Sequence, residues 1–191
     1  EGKLGVLCVG LGAVASTFIA GVELARRGLA KPTGSLTQLA TIRLGKRTDG
    51  RAPFIKDFVP ITPLEDLVFG AWDPVPDNAY QSALHCGVFD KHEHVFPIKD
   101  FLEGITPMPA VFDQQYVKRL TGTNVKKAGT KRELAEALRQ DIRDFKAKHG
   151  VARCVIVWCA STEIFIVAGP QHETLEAFEA AVRAQPEVLD C

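Results

Sequence analysis

Gly10-Leu11-Gly12-Ala13-Val14-Ala15 carries the clearest chemical potential in the chain: small residues at G-x-G-x-x-A spacing, directly after the apolar run Gly5-Val6-Leu7-Cys8-Val9. That order reads as strand, tight turn and helix start. Such a turn brings backbone N–H groups and the positive end of a helix to one point, where a pyrophosphate can be held without a cationic side chain. The small third residue lets the helix pack closely on its strand. Alone, the pattern also suits a purely structural turn; its place after a strand and at the opening of a helix favours a dinucleotide site.

A dinucleotide site of this kind normally has an acidic residue about 20 positions after the glycines, where it holds the ribose hydroxyls. The residues near Ala30 offer none. Asp73, at the carboxyl end of the next strand (Leu67-Val68-Phe69-Gly70-Ala71, then Trp72-Asp73-Pro74), takes that place if the segment from Lys31 to Pro63 is an insertion. A carboxylate there accepts from both ribose hydroxyls and repels a 2'-phosphate, which favours NAD over NADP. The same aspartate equally suits a cap of the turn that follows it. A third candidate loop is Ala160-Ser161-Thr162-Glu163, whose hydroxyls and carboxylate can contact a nicotinamide ribose or amide, or cap a turn.

Other polar clusters carry less. His85, Cys86, His92 and His94 lack the paired spacing of a structural zinc site, so no metal ligand is assigned. Lys126-Lys127 and Lys131-Arg132 flank a helix start and read as a solvated face.

The elements that must position these residues follow from hydrophobic spacing. Val14, Phe18, Val22 and Leu24-Ala25 recur at roughly helical intervals, and Arg26-Arg27-Gly28 supplies cations and a glycine at the helix end. Prolines and glycines interrupt Lys31 to Pro63, leaving one possible strand at Leu39 to Leu44. After the Leu67 strand a helix is predicted from near Asp77 through Tyr80, Leu84 and Val88, then short helices and loops from His92 to Lys127. Thr130-Lys131-Arg132-Glu133 is a capping box, and Leu134, Leu138, Ile142 and Phe145 form the apolar stripe of the helix behind it, which Gly150 ends. Val151 to Trp158 reads as a central parallel strand covered on both faces. A last helix is predicted over Glu173 to Ala184, stopped by Pro186.

Strands alternating with helices imply an α/β fold, a Rossmann-like, doubly wound, mostly parallel sheet with helices on both faces. Ligands of such sheets bind beyond the carboxyl ends of the strands, so the loops at Gly10 to Ala15, Trp72-Asp73 and Ala160 to Thr162 are expected to converge. The 191 residues are enough for one domain, and 46% hydrophobic content is ordinary for a globular chain. Lys plus Arg balances Asp plus Glu at 23 each, so no net field draws the chain to nucleic acid or to an anionic membrane. Five scattered cysteines without C-x-x-C spacing read as buried free thiols. With no charged leader and no apolar stretch of membrane-spanning length, a reducing cytoplasm is the expected compartment.

Gly5 to Gly21 (GVLCVGLGAVASTFIAG), Val68 to Asp77 (VFGAWDPVPD), Ile105 to Ala110 (ITPMPA), Asp141 to Phe145 (DIRDF) and Val155 to Glu163 (VIVWCASTE) together resemble the amino-terminal half of the myo-inositol-1-phosphate synthase (inositol-3-phosphate synthase) family. The excursion from Lys31 to Pro63 is similar to that of bacterial members. The resemblance implies an NAD-dependent isomerase that converts glucose 6-phosphate to inositol phosphate without net redox change. In that reaction C5 of the sugar is oxidised, the C6–H beside the new ketone becomes acidic, the enolate attacks the C1 aldehyde, and the cyclic ketone is reduced. Carried over residue by residue, it implies that Gly10, Gly12, Ala13, Val14 and Ala15 form the pyrophosphate loop, that Asp73 lies beside the adenine ribose, and that Ala160, Ser161 and Thr162 line the nicotinamide side. Ala13 and Val14 stand where eukaryotic members have two asparagines, so those side-chain bonds to phosphate are lost. The resemblance also implies a homotetramer and a second domain with the catalytic lysines and phosphate clamp, which these residues do not contain; no catalytic residue is assigned. Three readings follow: half of the isomerase, an NAD-dependent dehydrogenase domain for another substrate, or a non-catalytic NAD-binding module.

Overall fold

Apolar runs bounded by glycine turns form the strands, and stripes at helical spacing form the helices, in a computed structural model that describes residues 2–161 and 163–184. In chain order the main elements are β1 (Leu4–Val9), α1 (Ala13–Arg26), the one-turn helices α2 (Leu36–Leu39) and α3 (Ile55–Phe58), β2 (Leu67–Asp73) and α4 (Ala79–Cys86). They are followed by α5 (Lys99–Glu103), β3 (Met108–Pro109), α6 (Lys131–His149), β4 (Arg153–Trp158) and α7 (Leu175–Ala184). The sheet order is β3-β2-β1-β4, and every pairing is parallel. Leu4 to Val9 lie opposite Leu67 to Trp72 on one side and opposite Arg153 to Trp158 on the other, so β1 is the spine of the sheet.

Alternation along the strands divides the core into two layers. Val6, Cys8, Phe69 and Ala71 face α1 and α4, packing with Leu11, Ala15, Ile19, Leu24, Ala79 and Ala83. Leu7 and Trp72 face the other way, onto Phe145 and Val151, with Leu138 and Ile142 against them. Helices therefore cover both faces, as a doubly wound sheet requires. Glycines in the strands let α6 come close: a Cβ on Gly70 would stand 2.7 Å from Phe145 Cε2, and one on Gly5 2.9 Å from Phe145 Cε1. The Phe145 ring fills the notch that the two missing side chains leave.

α6 follows its sequence signals residue for residue. Thr130 Oγ1 accepts from the Glu133 amide, Glu133 Oε2 accepts from the Thr130 amide, both at 3.1 Å, and Gly150 closes the helix at φ +63°. α1 spans its expected segment but turns a different face inward. Val14 is 66% exposed and Phe18 points partly outward, while Ala15, Ser16, Ile19, Ala20 and Leu24 are buried. Where the helix leaves the tight turn beside its own strand the near side takes the small Ala15 and Ser16, and the larger Ile19 and Leu24 are buried further along.

Between α1 and β2 the chain makes a long excursion. Leu39 to Leu44 is no strand of the sheet: α2 ends at Leu39, an isolated antiparallel bridge joins Thr41 to Phe54, and the Ile42 and Leu44 amides donate to the Pro53 and Arg51 carbonyls, both at 2.9 Å. The β-rich composition there meets no sheet to join. Arg26 ties the base of the excursion, its Nε donating to the Leu64 carbonyl at 2.7 Å while its guanidinium lies 5.4 Å from the Phe69 ring centroid. The helix after β2 opens one residue later than Asp77, with Asn78 as its cap, bonded to the Gln81 amide at 2.9 Å.

β4 differs from the expectation of a strand covered on both faces. Among the described residues it pairs on one side only, and Val155, Ile156 and Trp158 are 48%, 52% and 65% exposed. An apolar run reports that a strand suits a buried position; it does not report which neighbours lie beside it.

Candidate functional site at the carboxyl ends of β1 and β2

The turn after β1 is anchored at each successive residue. The Gly10 amide donates to the Trp72 carbonyl at 2.8 Å, and the Leu11 amide donates to Asp73 Oδ2 at 2.6 Å. The hydroxyl of Ser82, buried on α4, donates to the Leu11 carbonyl. Gly10 adopts φ +96°, and a Cβ there would stand 2.8 Å from the Cys159 carbonyl oxygen and 2.9 Å from Ala160 Cα. Both the dihedral and the close approach require glycine.

Gly12 has the opposite environment. Its φ of −81° is open to any residue, and among the described residues no atom outside its chain neighbours and its own helix backbone lies within 4 Å of where its Cβ would be. Protein packing leaves this space beside the N-terminus of α1 unfilled. No side chain of the described residues caps that terminus, and its first turn holds no acidic residue, so the leading amides of the helix lack a side-chain acceptor. Ala13 and Val14 sit exposed on this first turn, whereas Ala15 is fully buried against the sheet and acts by permitting close packing.

Asp73 performs both roles that its sequence position allows. Oδ1 accepts from the Val75 amide at 2.8 Å, the turn-capping contact, while Oδ2 holds the glycine loop. A carboxylate has about four lone-pair sites, so each oxygen retains capacity for a ribose hydroxyl. A strap from the far end of the β3 segment fixes the backbone beside it. Asn124 Nδ2 donates to the Asp73 carbonyl at 2.9 Å and its amide to the Pro74 carbonyl at 2.8 Å, and Lys126 and Ala110 pair alongside.

The third loop meets the first at one point. Cys159 continues the β1–β4 ladder, its amide donating to Val9 O at 2.8 Å, and the half-buried Ala160 lies against Gly10. Ser161 is exposed, and Thr162 lies outside the described residues. At the end of β1, burial and the neighbouring Cys159 thiol push the Cys8 thiol up to about 12, so Cys8 stays protonated at physiological pH.

The sequence reading left several contributors without a role. Ser82 shares an inward face with Ala79 and Ala83, and Asp141 lies on the stripe of Leu138, Ile142 and Phe145; a polar residue on a buried stripe was the readable signal in both. Lys126 is no solvated cation: its side chain is 13% exposed and paired with Asp141 at 2.8 Å.

The arrangement of an uncapped helix N-terminus, an unfilled space at Gly12 and a carboxylate at the neighbouring strand end suits a dinucleotide. A family model described as myo-inositol-1-phosphate synthase, for the NAD-binding domain, matches residues 4–189. The chain is 52% identical over 183 residues to inositol-3-phosphate synthase 1 of Bacteroides thetaiotaomicron, covering 95% of this chain and 42% of that protein. It is 32% identical to inositol-3-phosphate synthase isozyme 1 of Arabidopsis thaliana, covering 97% of this chain and 39% of that one. The crystal structure of inositol-3-phosphate synthase from Caenorhabditis elegans superposes with a TM-score of 0.82 at 27% identity, over 95% of this chain and 39% of that chain. The chain thus spans about two fifths of the length of the relatives it matches.

Proposed function

The chain belongs to the myo-inositol-1-phosphate synthase family and corresponds to its NAD-binding domain, and we propose that it serves as the nucleotide-holding part of an isomerase acting on D-glucose 6-phosphate to form 1D-myo-inositol 3-phosphate. The observation that carries this reading is the contact of Asp73 with the glycine loop, at 2.6 Å from the Leu11 amide and beside the uncapped start of α1.

In this reading the leading amides of α1, at Gly12, Ala13 and Val14, hold the pyrophosphate, and the space over Gly12 lets the backbone approach it. Gly10 keeps the turn tight, and Ala15 keeps the helix close. Asp73 accepts from the adenine ribose hydroxyls and sets the preference against a 2'-phosphate. Ala160, which lies against Gly10, and the two residues that follow it in sequence, Ser161 and Thr162, are assigned to the nicotinamide side. Bound NAD supplies reversible hydride transfer at the sugar, the step that lets an isomerisation proceed without net redox change. The several backbone anchors of the loop suit a cofactor that must stay in place through both transfers. The catalytic lysines, the phosphate clamp and the homotetramer belong, in this proposal, to a further domain of the whole protein.

Titration calorimetry of NAD and NADP against the chain and its Asp73→Ala variant tests the proposal. NAD is expected to bind in preference to NADP, and the variant to lose roughly tenfold to a hundredfold in NAD affinity, the range for removing hydrogen bonds to a charged group. Equal affinity of the variant and the unsubstituted chain for NAD would overturn the assignment of Asp73. Conversion of glucose 6-phosphate by the whole protein then tests the isomerase.

A further inference from the structure

Trp72 is 4% exposed in the layer between β2 and α6, and a buried indole N–H requires a hydrogen-bond partner. Its indole Nε1 donates to Asp141 Oδ2 at 2.7 Å. Asp141, on α6, is in turn paired with Lys126 from the strap, whose Nζ lies 2.8 Å from Oδ2 and 3.0 Å from Oδ1. The two side chains are only 19% and 13% exposed, so the pair is shielded from water and its bonds are charge-assisted. The same Trp72 presents the carbonyl that anchors the Gly10 amide, and its next neighbour is Asp73.

We infer that Asp141 and Lys126 are positioning residues for the nucleotide loop. They act through Trp72: the fixed indole sets the rotation of the Trp72–Asp73 backbone, and with it the acceptor for Gly10 and the aim of the Asp73 carboxylate. Three segments meet at Trp72, the residue whose carbonyl holds the Gly10 amide. The inference deepens the nucleotide reading and rests on it for its effect on affinity; its effect on the loop itself is separate.

The test removes the indole's acceptor without stranding a charge. In the double variant Asp141→Leu with Lys126→Met no acceptor remains for Trp72, whereas Asp141→Asn with Lys126→Met keeps a carbonyl oxygen for it. Amide hydrogen exchange is followed at Gly10 and at the interior residues of β1 without nucleotide, and the NAD dissociation constant is measured by calorimetry. The Leu/Met variant is expected to speed Gly10 exchange and raise the dissociation constant, each by about fivefold to twentyfold, with the β1 interior unchanged, and the Asn/Met variant to restore both. Gly10 exchange equal to that of the unsubstituted chain, or rising only in step with the β1 interior, would overturn the inference and leave the network a matter of stability. Should the Leu/Met variant not fold, Trp72→Phe, which removes the donor and leaves Asp141 paired with Lys126, is read by the same two criteria. An unsubstituted chain that binds no NAD would sink the nucleotide reading, while Gly10 exchange would still decide the positioning role.

Discussion

The two glycines of the loop do different jobs, and the difference is measurable. Gly12→Ala places a methyl where, among the described residues, no atom outside its chain neighbours and its own helix backbone lies within 4 Å, so thermal unfolding should be little changed while NAD affinity falls. Gly10→Ala forces a side chain into φ +96° and to within 3.0 Å of the Cys159 and Ala160 backbone, which should cost about 1–3 kcal/mol in unfolding experiments. If Gly12→Ala proves the more destabilising of the two, the space over Gly12 is not the ligand's. Both glycines were legible from their spacing. The acid was legible only as a candidate, because Asp73 stands 61 to 63 positions beyond them and 62 from Leu11, the residue it binds. Counting along the chain passes through the excursion; the sheet places the end of β2 beside the end of β1.

At the level of elements, local signals succeeded where their partners are local. α6 declared its cap, its stripe and its stop because each depends on residues within one or two turns. Thr130→Ala should therefore lower stability by about 1 kcal/mol, seen as a fall in Tm of about 2–4 °C in a domain of this size; an unchanged Tm would mean that the start of α6 is held by packing alone. β4 had as strong a pattern as β1, yet one is the spine of the sheet and the other has a neighbour on one side among the described residues. The two-residue β3 had no readable period at all, and the apolar Leu39 to Leu44 added no strand to the sheet because its backbone partners, Arg51 to Ile55, belong to the same excursion and lie outside the sheet. Strand identity is local, whereas strand neighbours are set by the whole chain.

Across the whole molecule the apolar surface is unevenly spread. Trp158 at 65%, Phe165 at 90%, Ile166 at 53% and Val167 at 80% exposed fall along β4 and the segment that follows it. Large apolar side chains exposed to this degree favour association, so light scattering should find the chain self-associating with concentration, and Phe165→Glu with Val167→Glu should shift it towards monomer; a monodisperse monomer of the unsubstituted chain would count against this. Among the described residues no helix is long and apolar enough to cross a membrane. By itself the sequence determined the glycine turn, the capped α6, the α/β alternation and the resemblance to a family, because each is written in neighbouring residues or in the order of short motifs. Only the tertiary structure decided that Asp73 clasps Leu11, that Ser82 and Asn124 hold the loop and its flank, and that Trp72, Lys126 and Asp141 form one network. Those contacts join residues 15 to 71 positions apart, and what brings them together is the parallel register of the sheet and the packing of helices on its two faces.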